Sequence, residues 1–464
     1  MRPRTLICGI LLVFVAFLLY VLLGVLLPPL KHAPVEPELL DVGKEFETQG
    51  GEPERVRCIE ENEDALIWRL RLMESAEKEL VLTTFDFGDD NSGRDIMAAM
   101  YRAAERGVHV RLMIDGINGF LKVSRSPYFH ALADHPNVEA KFYNPVNLLK
   151  PWMLNYRMHD KYVIADDTAY ILGGRNTNDL FLGNYRKHYN IDRDMLVYAG
   201  ENGASMQELR AYFEEIWELP TNKTVKYRKG EKEQAAEKEL LQRYERLMEQ
   251  SPELESVPDW KAETMETSGV KLLTNPMEAV NKKPEMLEQL YPVMKQGEEV
   301  LVETPYIICS DDMYQALTEL GEGRKLEILV NAVESGANPF GCTDYLNQKN
   351  TILATGASVY ESIYGQSLHR KTVLVDDRIS LVGSYNLDMR STYLDTELML
   401  MIDSPKLNAQ LRKAADTVKE RSLHILPDGT ETPGEDYEPV ELDGRKKGVY
   451  RFLRTVIPLF RQIL

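Results

Sequence analysis

The sequence has few cysteines and no excess of positive charge. Its four cysteines, Cys8, Cys58, Cys309 and Cys342, show no CxxC pair and no zinc-type spacing. The spacing permits a Cys309–Cys342 disulfide, but we expect unpaired thiols. A formal net charge of −18 over 464 residues argues against a nucleic-acid partner, since non-specific binding needs a basic surface. The sequence shows no metal-ligand cluster, and we expect no metal and no other cofactor.

Charged residues are also missing from one long segment near the start of the chain. Leu6 to Leu27 contains none, and a helix of that length crosses a bilayer core of about 30 Å. The segment runs into Pro28 and Pro29 without a signal-peptidase site. We therefore predict one uncleaved transmembrane helix within residues 1–30 and a single-pass protein of the cell membrane. Two cations precede this segment, Arg2 and Arg4, and two follow it, Lys31 and Lys44. Because the positive charge on the two sides is nearly equal, it does not indicate on which side of the membrane the catalytic domain lies.

Strand-like and helical patterns alternate after residue 57, and the order occurs twice. "ELVLTTFDF", a helical segment expected from Asp95 to Arg106 with Ser92 as its cap, and "VHVRLMIDG" are matched later by "EVLVETPYI", a helical stretch and "KLEILVNAV". Such alternation predicts a mainly parallel sheet covered on both faces. Two copies predict a duplicated α/β fold with pseudo-twofold symmetry.

The boundaries follow from this repeat. We expect a tether at 31–57, a first domain at 58–262, a second domain at 263–425 and a tail at 426–464. A charged helical pattern at 226–250 is interpreted as a solvated surface insertion in the first domain.

One short pattern of polar residues is present in both halves. His159, Lys161 and Asp166 in "MHDKYVIADDTAYILGGRN" recur as His369, Lys371 and Asp376 in "LHRKTVLVDDRISLVGSYN". A single copy fits an amphipathic hairpin as well as an active site. The repetition favours an active site, although a duplicated fold that has lost its activity would retain the same pattern.

Strand geometry separates the motif residues into two groups. Histidine and lysine are two residues apart, so on a strand they point the same way. The aspartates are out of phase and begin a turn. We include Asp166 and Asp376 in the catalytic motif but expect them to hold the hairpin. The glycine-bearing segments that follow allow close approach of an anion, and the residues we expect to donate hydrogen bonds to phosphate are Asn176, Ser384 and Asn386.

These segments resemble the paired HxKxxxxD motifs, each followed by GG/GSxN, of the phospholipase D superfamily. "RMHDK", "GGRN", "GSYNLDMRS" and "DTELML" are similar to the bacterial cardiolipin synthases, and the similarity spans about Cys58 to Ile402. The resemblance implies duplicated phospholipase D-like α/β/α sandwich domains. Two features depart from it: many relatives have two amino-terminal membrane helices, and the 226–250 segment has no assigned counterpart.

The resemblance also implies roles for the motif residues. His159 would be the nucleophile that forms a phosphohistidine, and His369 the acid and base, while the pseudo-symmetry leaves the opposite order open. Lys161 and Lys371 would offset charge on the phosphoryl oxygens. Asp194 and Glu397 match positions that orient the imidazoles.

The implied activity is transfer of a phosphatidyl group from phosphatidylglycerol to make cardiolipin, with phosphatidylethanolamine as another candidate substrate. Three alternatives stay open: a phospholipid hydrolase of the phospholipase D type, a membrane-anchored nucleic-acid phosphodiesterase, and a non-catalytic membrane scaffold. The oligomeric state is also open. The acidic balance argues against nucleic acid, and the intact motifs argue against a scaffold.

The end of the chain is basic and amphipathic. "GRKKGVYRFLRTVIPLFRQIL" has six cations and no acidic residue. Cations beside an apolar stripe favour an anionic lipid interface. The alternative is a helix docked on the protein's own acidic surface.

Overall fold

The computed structural model describes residues 3–37, 42–47, 53–200, 202–228, 230–279 and 282–464. Twenty-two strands are present in this part of the chain. Those of the first half are β1 (Arg55–Ile59), β2 (Glu79–Thr84), β3 (His109–Asp115), β4 (Val138–Tyr143), β5 (Tyr162–Ala165), β6 (Ala169–Gly173), β7 (Asn190–Ile191), β8 (Asp194–Tyr198), β9 (Lys223–Val225) and β10 (Met265–Glu266). Those of the second half are β11 (Gly269–Thr274), β12 (Glu299–Glu303), β13 (Ile307–Ile308), β14 (Lys325–Asn331), β15 (Ser358–Ser362), β16 (Ser367–Leu368), β17 (Thr372–Val375), β18 (Ile379–Gly383), β19 (Leu387–Asp388), β20 (Leu398–Asp403), β21 (Ser422–Ile425) and β22 (Glu431–Pro433).

The strands form two nine-stranded sheets with the same internal order. The first is β10-β1-β8-β6-β5-β2-β3-β4-β9, and the second is β11-β20-β18-β17-β12-β14-β15-β21-β22. The run from β1 to β4 in the first sheet corresponds position by position to the run from β11 to β15 in the second. The duplicated α/β fold expected from the repeat is therefore confirmed.

The expectation of a mainly parallel sheet is wrong. In the two large sheets, the parallel pairings are β2–β3, β3–β4, β12–β14 and β14–β15, and the remaining pairings are antiparallel. One contributor is the motif hairpin in each half. Its connection is too short for a crossover, so its two strands must run in opposite directions.

Helices cover the outer faces of both sheets and fill the space between them. The α-helices of the described residues, in chain order, are α1 (Pro3–Leu26), α2 (Val42–Glu47), α3 (Asn62–Ser75), α4 (Asn91–Glu105), α5 (Gly116–Asn118), α6 (Pro127–Ala133), α7 (Ala204–Trp217), α8 (Glu231–Gln250), α9 (Trp260–Glu263), α10 (Glu285–Gln296), α11 (Asp311–Gly321), α12 (Pro339–Ala354), α13 (Met389–Tyr393), α14 (Pro405–Lys419) and α15 (Gly444–Val456). Apolar residues of α3 and α4 pack on the first sheet, with α8 outside them against α4, and those of α10, α11 and α12 pack on the second. A third core contains residues of both sheets together with α7 and α14. The two halves thus share a core.

The amino-terminal helix stands apart from these cores. Its apolar segment, Leu6–Leu30, has a mean hydropathy of 3.2, is not buried in the protein, and is long and apolar enough to cross a membrane. Its last turns contact the 3₁₀ turn Pro151–Asn155. The position of this contact matters for the site described below.

The structure differs in detail from the expected boundaries. Inside the expected tether, α2 packs on β11, and Glu45 forms an ion pair with Lys271. β10 extends the first sheet to Glu266, and β22 extends the second sheet past residue 425. The expected charged insertion is α8, a surface helix that buries one face against α4 and α6.

The basic end of the chain is docked on the second half. α15 packs on α12, with Tyr450 and Ile457 buried, and Arg461 forms an ion pair of 2.8 Å with Asp344. Val449 and Phe452 remain exposed. The segment is therefore docked on the protein, as the alternative interpretation expects. Its outer face still exposes apolar side chains among cations.

Candidate active site

The two motifs lie where the two halves of the chain meet. His159 and Lys161 precede β5, and His369 and Lys371 precede β17. Because β5 runs antiparallel to β2, the start of β5 lies at the carboxyl end of the parallel strands. The second half has the same arrangement around β12.

Each histidine is held by a strand contact with the opposite half. Met158 forms a parallel bridge with Thr396, and Leu368 pairs with Ile191 between β16 and β7. These bridges put the next residue of each segment beside a carboxylate of the other half. The site is therefore assembled from both repeats.

His159 pairs with Glu397 of the second half. Its Nδ1 lies 2.9 Å from Oε1 and 3.1 Å from Oε2 of that carboxylate. Ser384 Oγ donates a hydrogen bond to the same Glu397. In the described part of the chain the hydrogen bonds of the His159 ring all go through Nδ1, which leaves Nε2 for chemistry.

His369 pairs with Asp192 of the first half. Its Nδ1 lies 2.6 Å from Asp192 Oδ2, and Lys371 Nζ is 3.4 Å from the same oxygen. Asp192 is fully buried. The second imidazole thus has an acidic partner whose negative charge is shared with a lysine.

The assignment of Asp194 as an orienting carboxylate is wrong. Its Oδ2 lies 2.9 Å from Arg69 and 3.2 Å from Arg175, all three being buried. Strand register explains the difference. Gly173 pairs with Asp194 in the first sheet, whereas the equivalent Gly383 pairs with Met399. Two residues earlier, Asp192 therefore takes the place that Glu397 has in the second half.

The two lysines are buried beside the histidines. Lys161 Nζ and Lys371 Nζ donate to the carbonyl oxygens of His159 and His369 respectively. Both side chains are almost fully buried. Their ammonium groups are therefore held next to the imidazoles, where an anionic phosphate would need them.

The motif aspartates lie at the other end of the hairpins and are not in contact with the histidines. Asp166 accepts hydrogen bonds from the backbone N–H groups of Glu77, Lys78 and Glu79 at 2.8–2.9 Å. Asp376 accepts from those of Glu298 and Glu299 at 2.8 and 2.9 Å. Their inclusion in the catalytic motif is corrected to the hairpin-holding role, because β5 and β17 separate them from the imidazoles.

The expected phosphate donors divide into two groups. The amide oxygens of Asn176 and Asn386 are buried without a partner in the described chain. These oxygens accept hydrogen bonds, whereas the expected donation to phosphate would come from the NH2 groups of the same side chains. Ser384 differs, because its hydroxyl is used by Glu397. Its assignment as a phosphate donor is therefore corrected to support of that carboxylate.

Two phenylalanines at the site have no signal in the motifs. Phe85 meets His159 edge to face, with ring centroids 5.1 Å apart, and Phe181 meets His369 in the same way at 4.9 Å. Phe85 directly follows β2. Its place at the end of a parallel strand is the one feature of the sequence that could have predicted its position at the site. These rings exclude water from one side of each imidazole.

Burial shifts the titration of the site. It lowers the pKa of His369 to about 4, with Lys371 adding to the effect, and it puts the pKa of His159 well below its usual value, helped by Lys161 and Lys371. Burial thus favours the neutral form of both imidazoles in the free protein.

The partners of the imidazoles titrate differently from each other. Burial raises the pKa of Glu397 to about 7 and lowers that of Lys161 to about 7. Burial also opposes ionisation of Asp192, but Lys371 and His369 hold the pKa of Asp192 below its usual range. The His369 pair therefore has the more strongly ionised carboxylate.

A buried ion-pair network lies behind the site and joins the two halves. Arg193 contacts Glu303 at 2.5 Å and Glu60 at 2.7 Å. Arg370 contacts the same two carboxylates at 3.4 and 2.7 Å. These two arginines directly follow Asp192 and His369 in the chain. We name Arg193, Arg370, Glu60 and Glu303 the inter-half clamp.

The end of α1 lies close to the site. A cavity of about 230 Å³ is lined by Pro29 and His32 of the segment after α1 and by Tyr156, Lys282 and Leu394. Tyr156 and Leu394 are each three residues from an active-site side chain, His159 and Glu397. The cavity at the end of α1 is therefore lined by residues that lie close in the chain to one histidine–carboxylate pair of the site.

A duplicated sheet with two histidine–carboxylate pairs crossed between the repeats defines the phospholipase D class. Residues 70–217 and 292–418 match the family described as "Cardiolipin synthase, PLD-like domain". The chain belongs to this cardiolipin synthase family of phospholipase D-like proteins, and it is an enzyme of the phosphatidyltransferase kind within that superfamily.

Individual relatives agree with this assignment. The chain is 28% identical over 400 residues to cardiolipin synthase C of Escherichia coli, covering 76% of this chain and 82% of that protein. It is 28% identical over 337 residues to a cardiolipin synthase of Alkalihalophilus pseudofirmus, covering 71% of this chain and 59% of that protein. The solved phosphatidylserine synthase of Haemophilus influenzae superposes with a TM-score of 0.61 at 18% identity, covering 91% of this chain and all of that one. That last likeness concerns the fold alone.

Proposed function

We propose that this protein makes cardiolipin from two molecules of phosphatidylglycerol and releases glycerol. The observation that carries the proposal is the pair of crossed histidine–carboxylate contacts, each with a buried lysine, beside the end of the apolar helix. The names of the relatives support phospholipid substrates. A site at the bilayer concentrates the lipid alcohol that must compete with water.

In the proposed first step, His159 attacks the phosphorus of a phosphatidylglycerol. The N–P bond forms, the bond to the headgroup glycerol oxygen breaks, and His369 gives its proton to that oxygen. The arriving phosphodiester is an anion, which favours the protonated form of His369 despite burial. Lys161, Lys371 and the side-chain NH2 groups of Asn176 and Asn386 offset charge on the phosphoryl oxygens.

In the second step, His369 takes a proton from the headgroup hydroxyl of another phosphatidylglycerol. That oxygen attacks phosphorus, the N–P bond breaks, and cardiolipin leaves with His159 restored. The asymmetry of the two pairs supports this order. The ionised Asp192 favours an imidazolium at His369, whereas the weaker acid Glu397 leaves His159 neutral and nucleophilic.

Product analysis tests the proposal. Purified protein is incubated with labelled phosphatidylglycerol, with and without phosphatidylethanolamine, and the lipids are separated. Cardiolipin with free glycerol supports a transferase, and dependence on the second lipid would change the substrate pair. Phosphatidic acid as the sole product at every lipid concentration would replace the transferase by a hydrolase.

A further inference from the structure

An apolar surface beside α1 is formed by two loops of the first half. One loop is the π-helical turn Gly119–Val123 after β3, and the other runs from β4 to the motif. Their exposed side chains, which we name the rim patch, are Phe120, Leu121, Val146, Leu148, Leu149 and Trp152, from 37% to 74% exposed. Both loops leave the carboxyl ends of parallel strands, so the rim patch lies at the edge of the sheet that holds His159.

The rim patch is continuous with the apolar helix. Tyr20 donates a hydrogen bond of 2.7 Å to the Leu149 carbonyl, and Asn155 donates one of 2.7 Å to the Val25 carbonyl. Pro151 packs so closely on Gly24 that a Cβ there would lie 2.3 Å from its ring. The second loop therefore runs along the last turns of α1.

This contact determines how deep the loop lies if α1 crosses a bilayer. Tyr20 is six residues before Leu26, the last residue of α1, which is about 9 Å along a helix. The Leu149 carbonyl contacts α1 at the level of Tyr20, about 9 Å before the carboxyl-terminal end of the helix. A protein segment held there is at the depth where interfacial apolar side chains enter the acyl region.

The charge around the rim patch has the sign expected for an anionic lipid surface. The chain as a whole has a net charge of −18, yet residues 116–133, 140–159 and 219–230 contain no aspartate or glutamate. Among the described residues of these segments, the exposed cations are Lys122, Arg125, Lys150, Lys223, Lys226 and Arg228. Lys122 has one distant carboxylate, Asp86 at 4.0 Å. Cations around apolar side chains suit an anionic leaflet.

The three segments also share one groove. It has a volume of about 810 Å³, and its lining includes Phe120, Phe142, Val146, Leu148, Lys226 and Tyr227. Gly116, one of its lining residues, follows Asp115, whose carboxylate accepts a hydrogen bond of 3.3 Å from the backbone N–H of Met158. The groove is therefore lined by a residue next to the one that holds the backbone before His159.

The geometry points to a lipid bilayer as the partner of the rim patch. Its apolar side chains lie in the anionic leaflet next to α1, its cations meet the headgroups, and the site opens onto that leaflet. This inference deepens the proposed function by naming the surface through which the site reaches lipid. Immersion itself does not depend on cardiolipin being the product.

Tryptophan fluorescence tests immersion directly. The chain has four tryptophans, and Trp152 is 37% exposed, whereas Trp68, Trp217 and Trp260 are buried. The full chain is reconstituted in phosphatidylglycerol-containing bilayers with brominated lipids, as wild type and as Trp152→Phe. We expect bromine near the headgroup end of the acyl chain to remove emission from the wild type only. Equal quenching of both proteins would overturn the inference, whatever their catalytic activity.

A charge placed in the rim patch gives a second test. Leu149→Glu is compared with Val257→Glu, since these side chains are 74% and 70% exposed and Val257 lies near the opposite edge of the first sheet. We expect Leu149→Glu to lower turnover of bilayer phosphatidylglycerol by roughly tenfold, because a buried charge disfavours membrane contact. Turnover of a short-chain, water-soluble phosphatidylglycerol should be unchanged. Equal turnover of bilayer substrate by both variants would contradict the inference.

Discussion

At the scale of single residues, the two histidines of the site are not equivalent. His369 faces Asp192, whose charge Lys371 supports, and His159 faces Glu397, whose pKa is raised to about 7. The repeat made the two halves alike in fold, but the carboxylates differ in length and surroundings. In the proposed mechanism this difference suits one imidazole to the role of nucleophile and the other to that of acid and base.

Asp192 and Asp194 have separable roles that substitution distinguishes. We expect Asp192→Asn to lower kcat by roughly 100- to 10,000-fold, because an amide cannot stabilise the His369 imidazolium. Asp194→Asn should instead lower the free energy of unfolding by about 3 kcal/mol, since it leaves Arg69 and Arg175 buried without their carboxylate. Steady-state kinetics and denaturant unfolding measure both. A severe loss of kcat per folded molecule in Asp194→Asn would contradict this division.

The pH dependence of kcat/KM should report Lys161 and Glu397. Lys161 is charged below its pKa of about 7, and Glu397 is ionised above its pKa of about 7. In the proposed mechanism the charged Lys161 and the ionised Glu397 both support turnover, so we expect Lys161 to add an alkaline limb and Glu397 an acidic limb near pH 7, besides the titration of His369. Lys161→Arg should move the alkaline limb to higher pH because arginine stays protonated. A profile whose alkaline limb is the same in wild type and variant would exclude Lys161 as its origin.

At the scale of secondary structure, each motif hairpin is held in place by the carboxylate of its own aspartate. Asp166 and Asp376 have positive φ values of 48° and 46°, and their carboxylates hold the backbone at the start of β2 and β12. The motif aspartate thus fixes the hairpin on which histidine and lysine are presented, from the end remote from the chemistry.

Substitution of Asp376 should affect stability and not chemistry. We expect Asp376→Ala to cost about 1–3 kcal/mol of unfolding free energy, because two backbone N–H groups lose their acceptor and alanine tolerates positive φ poorly. Asp376→Asn should cost less, since asparagine suits that conformation. The exposed neighbour variant Asp377→Ala serves as control. If kcat fell sharply while the free energy of unfolding stayed unchanged, Asp376 would have a catalytic role after all.

At the scale of the whole molecule, the site exists only where the repeats meet. Each histidine takes its carboxylate from the other half, and the inter-half clamp lies directly behind. We therefore expect His159→Ala and His369→Ala each to abolish turnover, measured as cardiolipin formation with thermal melting as the folding control. Near-full activity in either variant would mean that the halves work independently.

The clamp should stabilise the arrangement of the two halves. Glu303→Ala leaves Arg193 and Arg370 with one carboxylate between them in a buried setting. Loss of one partner of a buried ion pair costs about 3–5 kcal/mol, and we expect that decrease in the free energy of unfolding. Glu298→Ala, at an exposed position just before β12, is the matched control. A decrease no larger than that of the control would show that the clamp is energetically neutral.

Much of the site could be read from the sequence because it is encoded locally. The two-residue spacing of histidine and lysine survives in any extended segment, and the repeat indicates that the two copies act together. Composition alone also separates the apolar helix from the rest. The helix expected from Asp95 begins earlier, at Asn91, and Asp90 caps it in place of Ser92, which is an error of one turn.

The tertiary structure decided everything that depends on register and on packing between the halves. Asp192 could not be told from Asp194 because the loops joining Asn176 to β8 and Asn386 to β20 differ in length, so counting from the motif gives no fixed offset. The crossing of the pairs, the phenylalanines on the imidazoles and the rim patch along α1 all bring together residues far apart in the chain. Local spacing carries no information about such contacts, because they depend on how separate elements dock.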